Sequence, residues 1–329
     1  MNTMRLLEAM TNIDSTIIEK AQIQPKRSSR SVGRILLVAA LIAMLAITAF
    51  AAGEAVNWFK DYFTGNANTE LTPNQIIYIE ENTTDLTQSQ TCNGYTIAVE
   101  SAFSDGTDGI IKLKLIAPEG VKLDAINYFP GNDGCLTPVG EETVSQWNGG
   151  WGCVREGTPE NEVNIIFTLH NIIDGRTHWK LSIEDICGTY EENPGEANYR
   201  QWTELVAEGK WEFDIVFSDN GIQEIEMIQQ PVEGEVNIAL NKESYHKVMI
   251  TSLKLRALSA EITYEFLEPT HASGEFDAIF VVMKDGSQIM MLPKSGYTGF
   301  CTYHFAVPII LTDVDYVLLP GGIKLPVPQ

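Results

Sequence analysis

The sequence predicts a mostly β ectodomain of two β-sandwich modules, set behind one transmembrane helix and a short helical cytoplasmic N-terminus. Three observations carry that expectation. An uncharged apolar run, ILLVAALIAMLAITAFAA, occupies Ile35–Ala52. Basic residues crowd its N-terminal flank, while the first charge after it is Glu54. From about Thr91 onward, short alternating runs recur between Gly, Pro, Asn and Asp with no helical period among them, the pattern of antiparallel sandwiches.

The apolar run holds 18 residues with no charge and no proline. As a helix it covers about 27 Å, close to the hydrocarbon thickness of a bilayer. No polar stripe marks one side, and in lipid a helix satisfies its own backbone hydrogen bonds. Lys26, Arg27, Arg30 and Arg34 precede it, which places the N-terminus in the cytoplasm and the rest outside, a single pass through the cell membrane. The alternative is a cleaved signal peptide, since Ala49-Phe50-Ala51 fits a small-x-small cleavage site. The expected divisions are 1–34, a cytoplasmic amphipathic segment and basic linker; 35–52, the span; 53–73, a juxtamembrane segment; 74–218, a β module; and 219–329, a second β-sandwich module.

Within residues 1–22, Leu6, Met10, Ile13 and Ile17 recur at steps of four and three and so share one helical face. So short a segment cannot bury that face alone. It is either a docking surface for a cytoplasmic protein or a helix lying on the lipid. Residues 22–34, rich in Ser and basic side chains, suit the anionic inner leaflet.

Beyond the span, Trp58, Phe59, Tyr62 and Phe63 are expected to seat the chain at the outer headgroups. A helix is expected from Thr72 as N-cap and Pro73 at the first helical position to about Asn82. Asn82-Thr83-Thr84 matches a glycosylation sequon. Strands are expected at Gly94–Glu100 and Ile110–Leu115, with Ser104-Asp105-Gly106-Thr107-Asp108-Gly109 as the turn between them. Asp105 and Asp108 lack the ligand number and spacing of a calcium loop, so they read as turn residues. Further strand runs span Val163–Leu169, Lys180–Ile186 and Trp211–Phe217, and continue beyond a break at Ser218–Gly221 to Asp315–Leu319.

The formal net charge of -22 divides unevenly: residues 1–34 carry six Lys/Arg and three Asp/Glu, the remainder 16 and 41. A body that acidic excludes direct nucleic-acid binding. All five cysteines lie beyond the span, where an oxidising exterior permits disulfides. Cys135 and Cys153, flanking a Gly-rich stretch, are the expected pair. Long loops are expected around Gly131–Gly152 and Gly188–Trp202. Their aromatics Trp147, Trp151 and Trp202 either bind a sugar or peptide or cap the core. No CxxC, GxSxG, HExxH, phosphate-cradling loop or GxGxxG occurs, so no enzyme, cofactor or metal is expected.

One resemblance adds to this. The order Leu6-Leu7-Glu8-Ala9, Ile13-Asp14, Ile17-Ile18-Glu19-Lys20-Ala21, basic linker, single span, Trp58-Phe59, Leu71-Thr72-Pro73-Asn74-Gln75, Asn93-Gly94-Tyr95-Thr96-Ile97 and Ala117-Pro118-Glu119-Gly120 is found over residues 1–125. It resembles Gram-positive, particularly clostridial, membrane proteins with an anti-sigma-factor-like N-terminal domain of unknown function. Val248–Leu255 and Gly321–Pro326 resemble their immunoglobulin-like C-terminal modules. The resemblance implies that residues 1–22 hold an extracytoplasmic-function sigma factor, and that the outer modules sense an unknown extracellular ligand. The chain departs from zinc-type anti-sigma factors in having no His or Cys in residues 1–52. The other expectation is a surface ligand-binding or adhesion protein with a plain anchor.

Overall fold

The alternating runs pair as antiparallel strands, and the protein is mostly β. The computed structural model describes residues 54–67, 70–131, 135–140, 149–155, 158–170, 175–196, 198–220, 223–237, 245–268, 276, 278–297 and 299–328. Among the described residues, no helix is long and apolar enough to cross a membrane. The expected span 35–52 and the face Leu6, Met10, Ile13 and Ile17 lie outside them.

Two helices open the described chain. Residues 54–67 form α1. Its Ala55, Phe59 and Phe63, four residues apart, are 7%, 0% and 2% exposed, so one apolar face is buried. α2 (Pro73–Asn82) begins as its sequence dictates. The Thr72 hydroxyl accepts from Gln75 N at 3.3 Å, and Gln75 Oε1 accepts from Thr72 N at 2.9 Å. This reciprocal capping box satisfies two of the helix's orphan amides.

The first group of strands comprises β1 (Thr83–Cys92), β2 (Tyr95–Ser104), β3 (Gly109–Ile116), β4 (Asn127–Pro130), β5 (Cys135–Pro138), β6 (Gly149–Val154), β7 (Glu162–Leu169), β8 (His178–Glu192) and β9 (Arg200–Val216). One sheet runs β1-β2-β3-β7-β6. In the other, β4 and β5 pair with successive stretches of β8, and β9 takes the opposite edge of β8. Both sheets contribute to one core that includes Val99, Leu113, Phe167, Trp179, Trp211 and Phe213.

The second group comprises β10 (Ile225–Glu226), β11 (Val232–Asn237), β12 (Tyr245–Leu255), β13 (Ser259–Phe266), β14 (Phe280–Met283), β15 (Gln288–Met290), β16 (Leu292–Tyr297), β17 (Phe300–His304), β18 (Val314–Leu319) and β19 (Ile323–Pro326). Here β12-β13-β17-β16 form one sheet, with β10 and β11 on the outer edge of β12, and β15-β14-β18-β19 form the other. They share a second core around Ile250, Ile262, Tyr264, Val281 and Val317.

The two groups repeat one strand plan, although no sequence repeat is visible. The order β2-β3-β7-β6 corresponds to β12-β13-β17-β16, and β4/β5-β8-β9 corresponds to β14-β18-β19. In each, the chain crosses between sheets at the same steps; β1 on the outer edge of β2 corresponds to β10 and β11 on β12, and β15 is an addition to the second group. The reason β1 escapes a sequence reading is its composition, TTDLTQSQTC, which is largely polar and largely exposed. Its glutamines nevertheless close the open side of the first pair of sheets. Gln88 Nε2 donates to Asp214 O at 2.6 Å while its Oε1 accepts from Asp214 N at 3.2 Å. Gln90 makes the same two-way contact with Glu212 of β9, its Oε1 accepting from Glu212 N at 2.9 Å. Side-chain amides thus stand in for a neighbouring strand and cover an edge otherwise available for pairing.

Of the four aromatics expected at the headgroups, Phe59 and Phe63 turn into the protein instead, while Trp58 and Tyr62 are half-buried. Phe59 and Phe63 join Ile79, Phe103, Ile110, Ile166, Leu258 and Val307 in a third cluster, which unites α1, α2 and both strand groups. Burying each such ring contributes roughly 1.5–3 kcal/mol, which outweighs an interfacial position for these two residues. The break at Ser218–Gly221 is also held down: Asn220 Nδ2 donates to Glu81 O at 2.9 Å, and Ser218 Oγ to Asn82 Oδ1 at 3.3 Å. Asn82 itself is 5% exposed and donates to Tyr78 O at 2.9 Å, so the sequon asparagine is occupied inside the fold.

Candidate functional site

The turn between β2 and β3 builds the floor of the site. Asp105 is 2% exposed. Its Oδ1 accepts from Thr107 N at 3.0 Å and Asp108 N at 2.8 Å, and its Oδ2 accepts from Leu258 N at 2.9 Å. A carboxylate that organises its own turn therefore also fastens the first strand group to the β12–β13 turn of the second. Burial, then the neighbouring Asp108 carboxylate, push the Asp105 carboxyl up to about 6, against the three amides that favour its charged form.

Above this floor lies a cavity of about 440 Å³, within the size range of small-molecule sites. α1 lines it with Tyr62, Phe63 and Asn66; the first strand group adds Asp108, Ile110 and His170, and the second adds Leu292, Lys294, His304 and Phe305. His170 Nδ1 lies 3.5 Å from Asp108 Oδ2, a charge contact too long for a good hydrogen bond. The buried Nδ1 atoms of His170 and His304 have no hydrogen-bond partner. Burial holds the Lys294 ammonium down to about 8, with Asp108 and Asp105 opposing the shift, and among the described residues no carboxylate pairs with it. His304 is also held below the usual histidine range, first by burial and then by Lys294 and His170.

A second cavity of about 670 Å³ lies beside the start of α2. Its size is greater, but its polar groups are already engaged: Lys284 Nζ donates to Thr312 O at 2.6 Å, and Asp285 accepts from Ser287. Unpaired donors rather than volume mark the junction cavity as the candidate site. Among the described residues no group of three or more His, Cys, Asp or Glu side chains is arranged to hold a metal ion.

The residues singled out in the sequence fall elsewhere. Trp151 is a strand residue of β6, its ring stacked on Phe167 at 3.9 Å and 4°, which covers the core rather than forming a loop. Trp202 belongs to β9, stacked on Tyr190 at 5.9 Å, on the ribbon that β8 and β9 form. Neither lies in an alternating stretch: β6 is half-buried throughout and β9 is exposed on both faces around Trp202, so no strand period marked them in the sequence. Trp147 lies outside the described residues. Cys153 is a free thiol receiving the amide of Tyr128 at 3.1 Å, so the expected bridge to Cys135 is not made. Cys135 enters β5, paired with Ser182 of the opposing sheet, and its side chain is outside the described set. His170 and His304 are far apart in the sequence and line one cavity because the ends of β7 and β17 reach the same junction.

No family model and no curated protein matches the chain. Among solved structures it is similar to the crystal structure of a conserved domain protein from Bacillus anthracis, with 15% identity over 71% of this chain and 75% of that one and a TM-score of 0.45.

Proposed function

We propose that the chain is a membrane-anchored, anti-sigma-factor-like regulator, with residues 1–22 holding an extracytoplasmic-function sigma factor and two immunoglobulin-like modules outside receiving the signal. The immunoglobulin-like reading is supported by the strand plan that both groups share: an edge-paired run of four strands in one sheet, extended on the outer edge by β1 or by β10 and β11, the remainder in the other, with crossings at the same steps. The regulatory reading rests on α1. A plain anchor needs only a flexible tether between span and body. Here the segment that follows the apolar run is a helix, with Phe59 and Phe63 buried among residues of both strand groups and Tyr62 and Phe63 lining the cavity. Occupancy of that cavity therefore bears on the chain leading to the membrane. No catalytic step is assigned to the protein.

The test is a crosslinking pull-down from native membranes with the intact chain, a form lacking residues 1–22 and a Leu6→Asp/Ile13→Asp variant. Capture of a sigma factor by the intact form alone supports the regulator. Equal capture by all three, or by none, overturns it. Capture by none leaves the alternative, a surface ligand-binding protein with a simple anchor, which the junction cavity also favours.

A further inference from the structure

We infer that the junction cavity is a binding site for a small organic monoanion, a carboxylate with an apolar body, gripped by Lys294 and His304. This deepens the regulatory reading by naming the class of signal, and rests on it only for the consequence of binding. Three features of the molecule select this ligand.

Lys294, on β16, lines this cavity, and among the described residues no carboxylate forms an ion pair with it. A half-buried ammonium without a counter-ion carries part of the desolvation cost of a buried charge. A bound anion supplies the missing partner. His304, whose buried Nδ1 has no hydrogen-bond partner among the described residues, lines the same space and in its Nδ1–H tautomer can donate to a carboxylate oxygen. The walls are the second feature: Tyr62, Phe63, Leu169, Leu258, Leu292 and Phe305 surround the polar end with apolar surface. An inorganic anion would leave that surface unused, whereas a ring or branched chain fills it.

The third feature sets the charge. Asp108 lines the cavity and Asp105 lies beneath it, and both act electrostatically on Lys294. Two carboxylates so near repel a dianion such as phosphate far more than a single negative charge. A cationic ligand would in turn face Lys294. The groups that meet the ligand's charge are thus Lys294, His304 and His170 on one side and Asp108 and Asp105 on the other, with the Tyr62 phenol pushed up by burial and neutral. Because Lys294 is held down to about 8, its charge is lost within an accessible range.

The experiment is calorimetric titration of the intact chain in detergent with benzoate, and with benzamide and benzylammonium as neutral and cationic probes of the same shape. Benzoate is expected to bind at least tenfold more tightly than either. Its affinity is expected to fall roughly tenfold between pH 7 and 9, as the charged fraction of a lysine titrating near 8 falls. Lys294→Met should weaken benzoate at least tenfold, and Lys294→Arg should retain it. Equal binding of benzamide, pH-independent affinity, an unaffected Lys294→Met chain, or no benzoate binding overturns the inference. If Lys294→Met does not fold, the probe comparison and the pH series on the unaltered protein decide alone. Benzoate binding that leaves sigma-factor capture unchanged sinks the coupling and keeps the site. Sigma-factor capture without benzoate binding does the reverse.

Discussion

Replacing Asp105 by Asn should remove a pH dependence of stability that the junction imposes. In the folded protein the carboxyl titrates near 6, against a value of 3.8 in an unfolded chain. A raised carboxyl means that folding favours the protonated form. Its stabilising contribution is fully present below pH 3.8, declines as pH rises toward 6 and is absent above it. A displacement of about two pKa units corresponds to about 3 kcal/mol between pH 4 and pH 7. Asn cannot ionise, so the variant loses this slope. Its amide, however, can present only one acceptor oxygen where Asp105 serves Thr107 and Asp108 with one oxygen and Leu258 with the other. One buried N–H is left without a partner, at roughly 1–3 kcal/mol. At pH 7 that loss and the relief of a buried charge nearly cancel; near pH 4 only the loss remains. The assay is thermal unfolding of the intact chain in detergent, followed by tryptophan fluorescence, for both forms from pH 4 to 8. The difference in Tm between them should change by roughly 6–12 °C across the range, given about 2–4 °C per kcal/mol in a domain of this size. Parallel curves would mean that the buried carboxylate is not the group governing the junction, and the reasoning would fail.

Other outcomes follow from the same contacts. Gln88→Ala with Gln90→Ala should destabilise the protein by about 1–2 kcal/mol, since water replaces part of what exposed amides lose. Hydrogen exchange at the Asp214 and Glu212 amides should accelerate selectively; unchanged exchange there contradicts the edge-sealing role. Arg256, 7% exposed, meets Glu224 at 3.1 Å and Glu261 at 3.0 Å; Arg256→Met leaves Glu261 without this partner while Glu224 keeps Lys254 at 3.1 Å, and should cost roughly 1–2 kcal/mol in a denaturant series. Burial pushes the Cys153 thiol up to about 11, against the hydrogen bond from Tyr128 N, so iodoacetamide at pH 8 should alkylate it far more slowly in the native than in the unfolded chain. Equal rates would place the thiol outside the core.

Local chemistry is where the sequence spoke clearly. Thr72, Pro73 and Gln75 carry the start of α2 in their own side chains, because a cap is a contact between residues three apart. The turn at 105–108 is equally local, built by Asp105 on its own amides and by Gly106 at φ +88°. Strands such as β7 and β13 declare themselves by alternation, since a strand with one buried face must alternate. β1 does not, because its partners are backbone groups of β9 more than 120 residues away, reached through glutamines that read as surface. Trp58, Phe59, Tyr62 and Phe63 read equally well as an interfacial belt or a packed helix, and only the pocket formed by Phe103, Ile166, Leu258 and Val307 decided for Phe59 and Phe63. The candidate site was illegible for the same reason. His170, Lys294 and His304 carry no spacing signal. They become a site only where the ends of β7, β16 and β17 converge on α1, and burial at that convergence shifts Lys294 and His304.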